Sequence, residues 1–425
     1  MAIASGKQMS VLTMNTLAFT VNFAVWTMFA IIGIGIKGEL DLNETQFALL
    51  IATPILSGSL SRLPLGLLTE RYGGRIVFLV QLIFVSIPTF CLVYASHYWH
   101  YLFTGFFVGI AGGAFAIGVT YTSAWFEPEN QGTAMGIFGA GNIGVAITNI
   151  IAPLVMVSYG WRTIPLIYAA ALIIIAVLFW LFTYTDPKHQ TRKDNNDHAS
   201  LYQQIKPLSE MRVWRFGLYY FFVFGGFIAL ALWLPKYYVG EYGVDLQTAS
   251  YLTLAFIVPA AIIRAFGGWI SDNVGARQVN WTVFWICIVC LFFLSYPAST
   301  VTVHGMERDI EVSIGINIYI FTLLIFIMGV AMGFGKAGVF RLIHDYYPNN
   351  MGSVCGAVGM IGGLGGFILP LLFGVAADLT NIRSSCFMLL YGVLGACMIW
   401  MYYAIKFDAY LERVREANES DFLAP

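Results

Sequence analysis

Twelve apolar runs, each long enough to cross a bilayer, leave this chain few folds to adopt. They fall near residues 11–36, 46–69, 76–96, 99–126, 131–157, 162–184, 213–236, 247–271, 278–297, 314–343, 351–374 and 382–406. An α-helix needs about 20 apolar residues to span the hydrocarbon core. In lipid every backbone polar group must be satisfied internally, so continuous runs of this length read as helices. Charge agrees, since 11% of the 425 residues are Asp, Glu, Lys or Arg, against roughly 25% in soluble domains. The expected fold is an all-α membrane protein of twelve transmembrane helices.

The runs divide into six and six. Between them, residues 186–210 hold DPKHQTRKDNNDH, the longest hydrophilic run, which is too polar to span and reads as a linker. The expected organisation is an N-terminal six-helix half (1–185), a cytoplasmic linker (186–210), a C-terminal half (211–408) and a cytoplasmic tail (409–425). The polar start MAIASGKQMS and the long run after it do not make a signal peptide. Basic residues gather at one set of span ends, among them Lys7, Arg71, Arg75, Lys206, Arg212, Arg215, Arg277 and Lys406. They are sparse at the other, with Lys37, Arg162, Lys236, Arg308 and Arg383. That excess places the linker and both termini in the cytoplasm. A net charge of −1 gives no reason to expect a nucleic-acid partner. The six cysteines lie in apolar runs, and Cys287 and Cys290 read as packing rather than as a metal or redox pair.

The halves are copies. SGSLSRLPLGLLTERYGGR (57–75) is answered by VPAAIIRAFGGWISDNVGAR (258–277) at an offset of 202 residues. Arg62 meets Arg264, Gly66 meets Gly268, Glu70 meets Asp272, Gly73 meets Gly275 and Arg75 meets Arg277. FEPENQGTAMGIFGAGN (126–142) is answered by YYPNNMGSVCGAVGMIG (346–362) at an offset of 220, so Gly132, Gly136 and Gly139 meet Gly352, Gly356 and Gly359. The hydrophilic stretch 299–313 can hold the difference as an outside loop. Parallel six-span repeats related by an axis along the membrane normal are a transporter architecture.

An arginine inside a membrane span is a functional hypothesis by default. Arg62 and Arg264, related by the internal symmetry, can face one another across a central cavity. Each offers a planar, permanently charged fork of donors. The spans hold almost no carboxylates to pair with them, so a mobile anion is the expected counter-charge. The glycine-rich stretches around residues 136–144 and 359–370 would let helix backbones approach closely and slide. Asn142 sits inside the first, where its counterpart is Gly362, and can donate to a substrate or cap a neighbouring helix. Lys336 stands in the tenth run where the repeat has Ala116, and a lysine at a span centre costs about 2.5–3.5 kcal/mol. It is the best-placed candidate for carrying a coupling proton. Arg341 and His344 read as anchors near the span end.

GLLTERYGGR resembles the cytoplasmic loop motif of the major facilitator superfamily, with Gly66, Glu70, Arg71, Gly73 and Arg75 in its places and Glu where Asp is commoner. The arginine pair with both glycine stretches is similar to the nitrate/nitrite porter family. AFTVNFAVWTMFAIIG (18–33) looks most like its nitrate/proton symporter branch. The resemblance covers essentially all spans. It implies a major facilitator fold and a nitrate site in which Phe115, Tyr220 and Phe224 line the pocket around the arginines. It also implies gating by Gly66, Glu70, Arg71, Gly73, Arg75 and Asp272, with carboxylates and arginines interacting across the halves.

The function expected is nitrate import across the cytoplasmic (inner) membrane by alternating access, coupled to protons. Nitrate/nitrite antiport is the near alternative; formate or oxalate transport and a non-transporting sensor are farther ones. The partners are nitrate or nitrite, a proton and the lipid bilayer, with no cofactor, and a monomer is expected. An intramembrane enzyme would need a catalytic constellation in the spans, and the sequence offers none.

Overall fold

The computed structural model describes residues 2–42, 44–186, 202, 205–304 and 309–422. Among them are twelve helices long and apolar enough to cross a membrane. Spans one to six are Gly6–Leu40, Leu49–Tyr72, Gly74–Tyr94, Tyr98–Ser123, Pro128–Tyr159 and Thr163–Phe182. Spans seven to twelve are Met211–Tyr242, Thr248–Val274, Ala276–Leu294, Ile318–Tyr346, Met351–Thr380 and Ser385–Phe407. Crossing an even number of times brings both chain ends and the linker to one face, the linker side; the other is the far side. Of the expected linker, residues 187–201, 203 and 204 lie outside the described residues. The last helix continues to Phe422, so most of the expected tail is helical.

The stretch between spans nine and ten is not an irregular loop. Ser299–His304 (β1) pairs antiparallel with Asp309–Ile314 (β2), with Thr300 opposite Ser313. Alternating β-branched and polar residues favour a strand over a loop. Because β2 reaches Ile314, span ten begins at Ile318 rather than at the expected 314.

Repeated residues make repeated joints. The turns after spans two and eight pivot on Gly73 (φ 83°) and Gly275 (φ 99°), a backbone region that side chains with a Cβ rarely adopt. On the far side each half closes with the same clasp. Arg162 pairs with Glu39 at 2.6 Å and Arg383 with Glu241 at 3.4 Å, tying the sixth helix of each half to the first.

The halves meet along two seams, span two with span eleven and span five with span eight. Gly66 meets Gly352 and Gly268 meets Gly132 so closely that a Cβ on any of the four would collide with a carbonyl across the seam. One turn deeper, Gly356 lies against the Arg62–Leu63 backbone and Gly136 against that of Arg264–Ala265. The glycine-rich stretches thus form two equivalent seams between the halves.

Three helices lose regular winding at this depth. Span four is 3₁₀ over Gly109–Gly113, span five is 3₁₀ over Ala140–Ile143, and span seven is a π-helix over Phe221–Gly225. Such segments are frequent at functional sites, because they free or re-aim backbone groups.

Candidate functional site

Arg62 and Arg264 enter the centre from opposite halves, 0% and 1% exposed. Arg62 is held by backbone. Its Nε donates to the Gly112 carbonyl at 3.1 Å, inside the 3₁₀ segment of span four. Its Nη1 donates across the seam to the Gly359 carbonyl at 2.7 Å. Its Nη2 is buried without a partner, as are Nε and Nη1 of Arg264. Among the described residues, no carboxylate oxygen lies within 4.0 Å of either guanidinium. Two buried cations with unsatisfied donors are costly unless an anion compensates them.

Aromatic rings wall the space between them. The Phe115 ring is shared, its centroid 5.3 Å from the Arg62 guanidinium carbon and 5.1 Å from that of Arg264. Phe224 lies 4.8 Å from Arg62 and stacks on Tyr220 at 5.0 Å with an interplanar angle of 2°. The Tyr220 hydroxyl is buried beside the Arg264 guanidinium, with its ring packed against Gly362. A small planar anion in such a cage would meet charged donors in low dielectric, where they act most strongly.

The sequence reading missed two members of this wall. Phe340 meets Phe115 and Tyr220 edge-on at 4.9 and 4.8 Å and lies 6.0 Å from Arg264. Trp26 lies 5.3 Å from Arg62, its indole N–H fixed on the Pro54 carbonyl at 2.7 Å. The one signal for Phe340 is its position four residues after Lys336, on the same helix face.

Asn142 is buried in the 3₁₀ turn of span five, with both amide atoms unpartnered. Lys336 is fully buried and its Nζ has no hydrogen-bond partner. It stands 3.6 Å over the ring of Phe227, one turn along span seven from Phe224, and so flanks the cage.

The loop carboxylates meet backbone amides of the other half. Glu70 Oε1 accepts the Gly352 N–H at 2.6 Å, at the N-terminus of span eleven. Asp272 accepts the N–H groups of Gly132 and Thr133 at 2.8 and 2.7 Å and the Thr133 hydroxyl at 2.8 Å, at the start of span five. Each carboxylate thus seats on a helix N-terminus, where free amides and the dipole favour negative charge. Arg71 is exposed beside Tyr72, so the expected arginine–carboxylate contact across the halves is not made by it. Arg75 donates to the Trp180 carbonyl within its own half. Arg341, expected as a surface anchor, instead pairs with Asp272 at 3.2 Å and Asp345 at 3.4 Å. Gly66 supplies the close approach at one latch and Gly73 the turn behind it.

With these contacts made, the linker side is closed and the cage is out of contact with solvent. A profile described as Major Facilitator Superfamily matches residues 16–307. A Thermus thermophilus protein described as a probable nitrate/nitrite antiporter, NarK1, is 39% identical over 413 residues, covering 94% of this chain and 92% of its own. A nitrite extrusion protein of Bacillus subtilis (strain 168) is 31% identical, covering 95% of this chain and 96% of its own. The crystal structure of the human organic anion transporter MFSD10 (TETRAN) superposes with a TM-score of 0.73 at 14% identity, over 93% of this chain and 99% of that one. At that identity the likeness concerns the fold.

Proposed function

The chain belongs to the nitrate/nitrite porter family of the major facilitator superfamily, and from that premise we propose that it imports nitrate by alternating access, together with a proton. The observation that carries the substrate is the pair of buried guanidiniums with unsatisfied donors and, among the described residues, no carboxylate in reach. Nitrate is planar, and its oxygens accept the guanidinium fork. Between Arg62 and Arg264 it offsets their repulsion and lets the halves close around it. Phe115, Phe224 and Tyr220 exclude water, and the Tyr220 hydroxyl and the Asn142 amide are the remaining donors to it. Rocking about the two glycine seams then opens one side or the other, with Glu70 and Asp272 latching the linker side. The linker side is cytoplasmic, in keeping with its excess of Lys and Arg.

Lys336 is assigned the proton. A bound anion favours the ammonium, so anion and proton would bind cooperatively and by the same factor in each direction. Exchange of nitrate for nitrite is the second reading. The lack of a carboxylate at the cage among the described residues favours it, since exchanging one monovalent anion for another needs no titrating group. Proteoliposome uptake separates the two. Symport predicts nitrate accumulation driven by an imposed pH gradient with nothing inside; exchange predicts uptake only with internal nitrite or nitrate. Vesicles that take up nitrate under neither condition would contradict both.

A further inference from the structure

The two arginines of the cage are held differently, and the difference begins at Trp26. This indole is 2% exposed and wedged between spans two and four. Its N–H donates to the Pro54 carbonyl at 2.7 Å, two turns before Arg62 on span two. Two glycines make the space for it. A Cβ on Gly58 would collide with the indole nitrogen, and one on Gly112 would lie 2.7 Å from the ring carbon Cε2. Gly112 belongs to the 3₁₀ segment of span four, and its carbonyl is the one that accepts from Arg62 Nε at 3.1 Å. The indole thus backs the turn whose carbonyl orients the guanidinium, and its ring also lies 5.3 Å from the guanidinium carbon. With Nη1 on the Gly359 carbonyl at 2.7 Å, Arg62 has Nη2 left for an anion.

The internal repeat shows what the other arginine lacks. At the offset of 202 residues, which also pairs Glu39 with Glu241, Trp26 meets Ile228 and Gly58 meets Ala260; at the offset of 220, Gly112 meets Met332. Isoleucine has no donor for a carbonyl, and Ile228 packs instead on Gly366. Span ten is regularly α-helical through Met332, so its carbonyls stay in the helix's own ladder. Arg264 Nε and Nη1 accordingly have no hydrogen-bond partner. Both guanidiniums are buried to the same degree, so burial does not account for the difference.

We propose that Trp26 is a positioning residue for anion recognition. Through the Gly112 turn it holds the Arg62 guanidinium in one orientation, so Arg62 is the rigid arginine of the pair and Arg264 the one that adjusts to what is bound. The inference rests on the reading of the cage as a nitrate site. A long side chain already held in its binding orientation loses no rotamer freedom when the anion arrives, which strengthens binding. A fixed donor also discriminates by shape, because an anion whose oxygens do not meet it forfeits the bond. Nitrate is planar, and chlorate, of the same charge, is pyramidal, so a rigid Arg62 favours nitrate.

The test is calorimetric titration of the full chain in neutral detergent with nitrate and with chlorate. Trp26→Phe removes the N–H and part of the ring that backs Gly112. The expected result is nitrate affinity lowered about tenfold, the low end for one hydrogen bond to a charged group. The preference for nitrate over chlorate should narrow with it. Ile228→Val, at the counterpart position, should keep the parental affinity and preference. A merely structural tryptophan would lower the unfolding midpoint and leave both affinities unchanged, and that result overturns the proposal. So does an equal loss in Ile228→Val, or an equal weakening of nitrate and chlorate, since the orientation of Arg62 would then not matter. Should Trp26→Phe fail to fold, Gly112→Ala decides, because its methyl shifts the same carbonyl: parental affinity and preference there also overturn the proposal. A parent that binds neither anion would remove the nitrate site and this inference with it, whereas the other outcomes strike the inference alone.

Discussion

Adding one methyl group at the seam should unbalance the transport cycle without unfolding the protein. A Cβ on Gly356 would lie 2.9 Å from both the Arg62 carbonyl oxygen and the Leu63 Cα. A Cβ on Gly136 would lie 2.6 Å from the Arg264 carbonyl oxygen and 3.0 Å from the Ala265 Cα. Ordinary contact begins at 3.4 Å, and the obstructing atoms are backbone, which cannot rotate aside. The halves must separate by several tenths of an ångström. Overpacking of this kind costs about 1–3 kcal/mol. The cost falls only on the conformation with the linker side closed, since both glycines face the opposite half. Gly136→Ala and Gly356→Ala should each shift the population toward the linker-open state by about 5- to 150-fold. The assay is maleimide labelling of a cysteine placed at Thr69, which is buried in the closed state, in a protein lacking its six native cysteines. Both variants should label faster and turn nitrate over more slowly. Gly392→Ala, whose added methyl meets nothing within 4 Å, should behave as the parent does. Parental labelling and turnover in either seam variant would refute the reasoning.

Both latches should matter. Asp272→Ala removes three cross-half hydrogen bonds and a partner of Arg341, and Glu70→Ala removes the hydrogen bond from Gly352, so turnover should fall in each. Nitrate affinity by calorimetry should change little in both, and a comparable loss of binding would contradict a gating role. Lys336→Gln should abolish accumulation driven by a pH gradient while nitrate exchange persists; accumulation that still follows the gradient would remove the proton from Lys336.

The twelve spans and the arginine pair could be read from the sequence because lipid imposes length and internal duplication marks equivalent places. The glycine matches at offset 220 pointed to close backbone approach for the same reason, though not to which spans meet: Gly132 and Gly352 do the same job in each half. What the sequence hid was backbone chemistry. Across the halves Glu70 and Asp272 accept from amides at helix N-termini, which carry no residue signature, so arginines were expected there instead. The π-helix at Phe221–Gly225 and the 3₁₀ turn at Gly109–Gly113 sit in runs whose apolar pattern is the same under any winding. Phe340 was one of 34 phenylalanines, and apart from its spacing from Lys336 nothing but its contacts with Phe115 and Tyr220 distinguishes it. The hairpin had left a signal in the alternation of STVTVH, overlooked because a hydrophilic insertion reads first as a loop.

The central claim is that two arginines, one from each half, hold nitrate during its passage. It is tested most directly by nitrate uptake into proteoliposomes holding the parent protein, Arg62→Lys or Arg264→Lys, each verified as folded. Lysine keeps the charge but loses the planar fork. The account predicts uptake by the parent and loss of most of it in each variant. Near-parental uptake by either variant would contradict it.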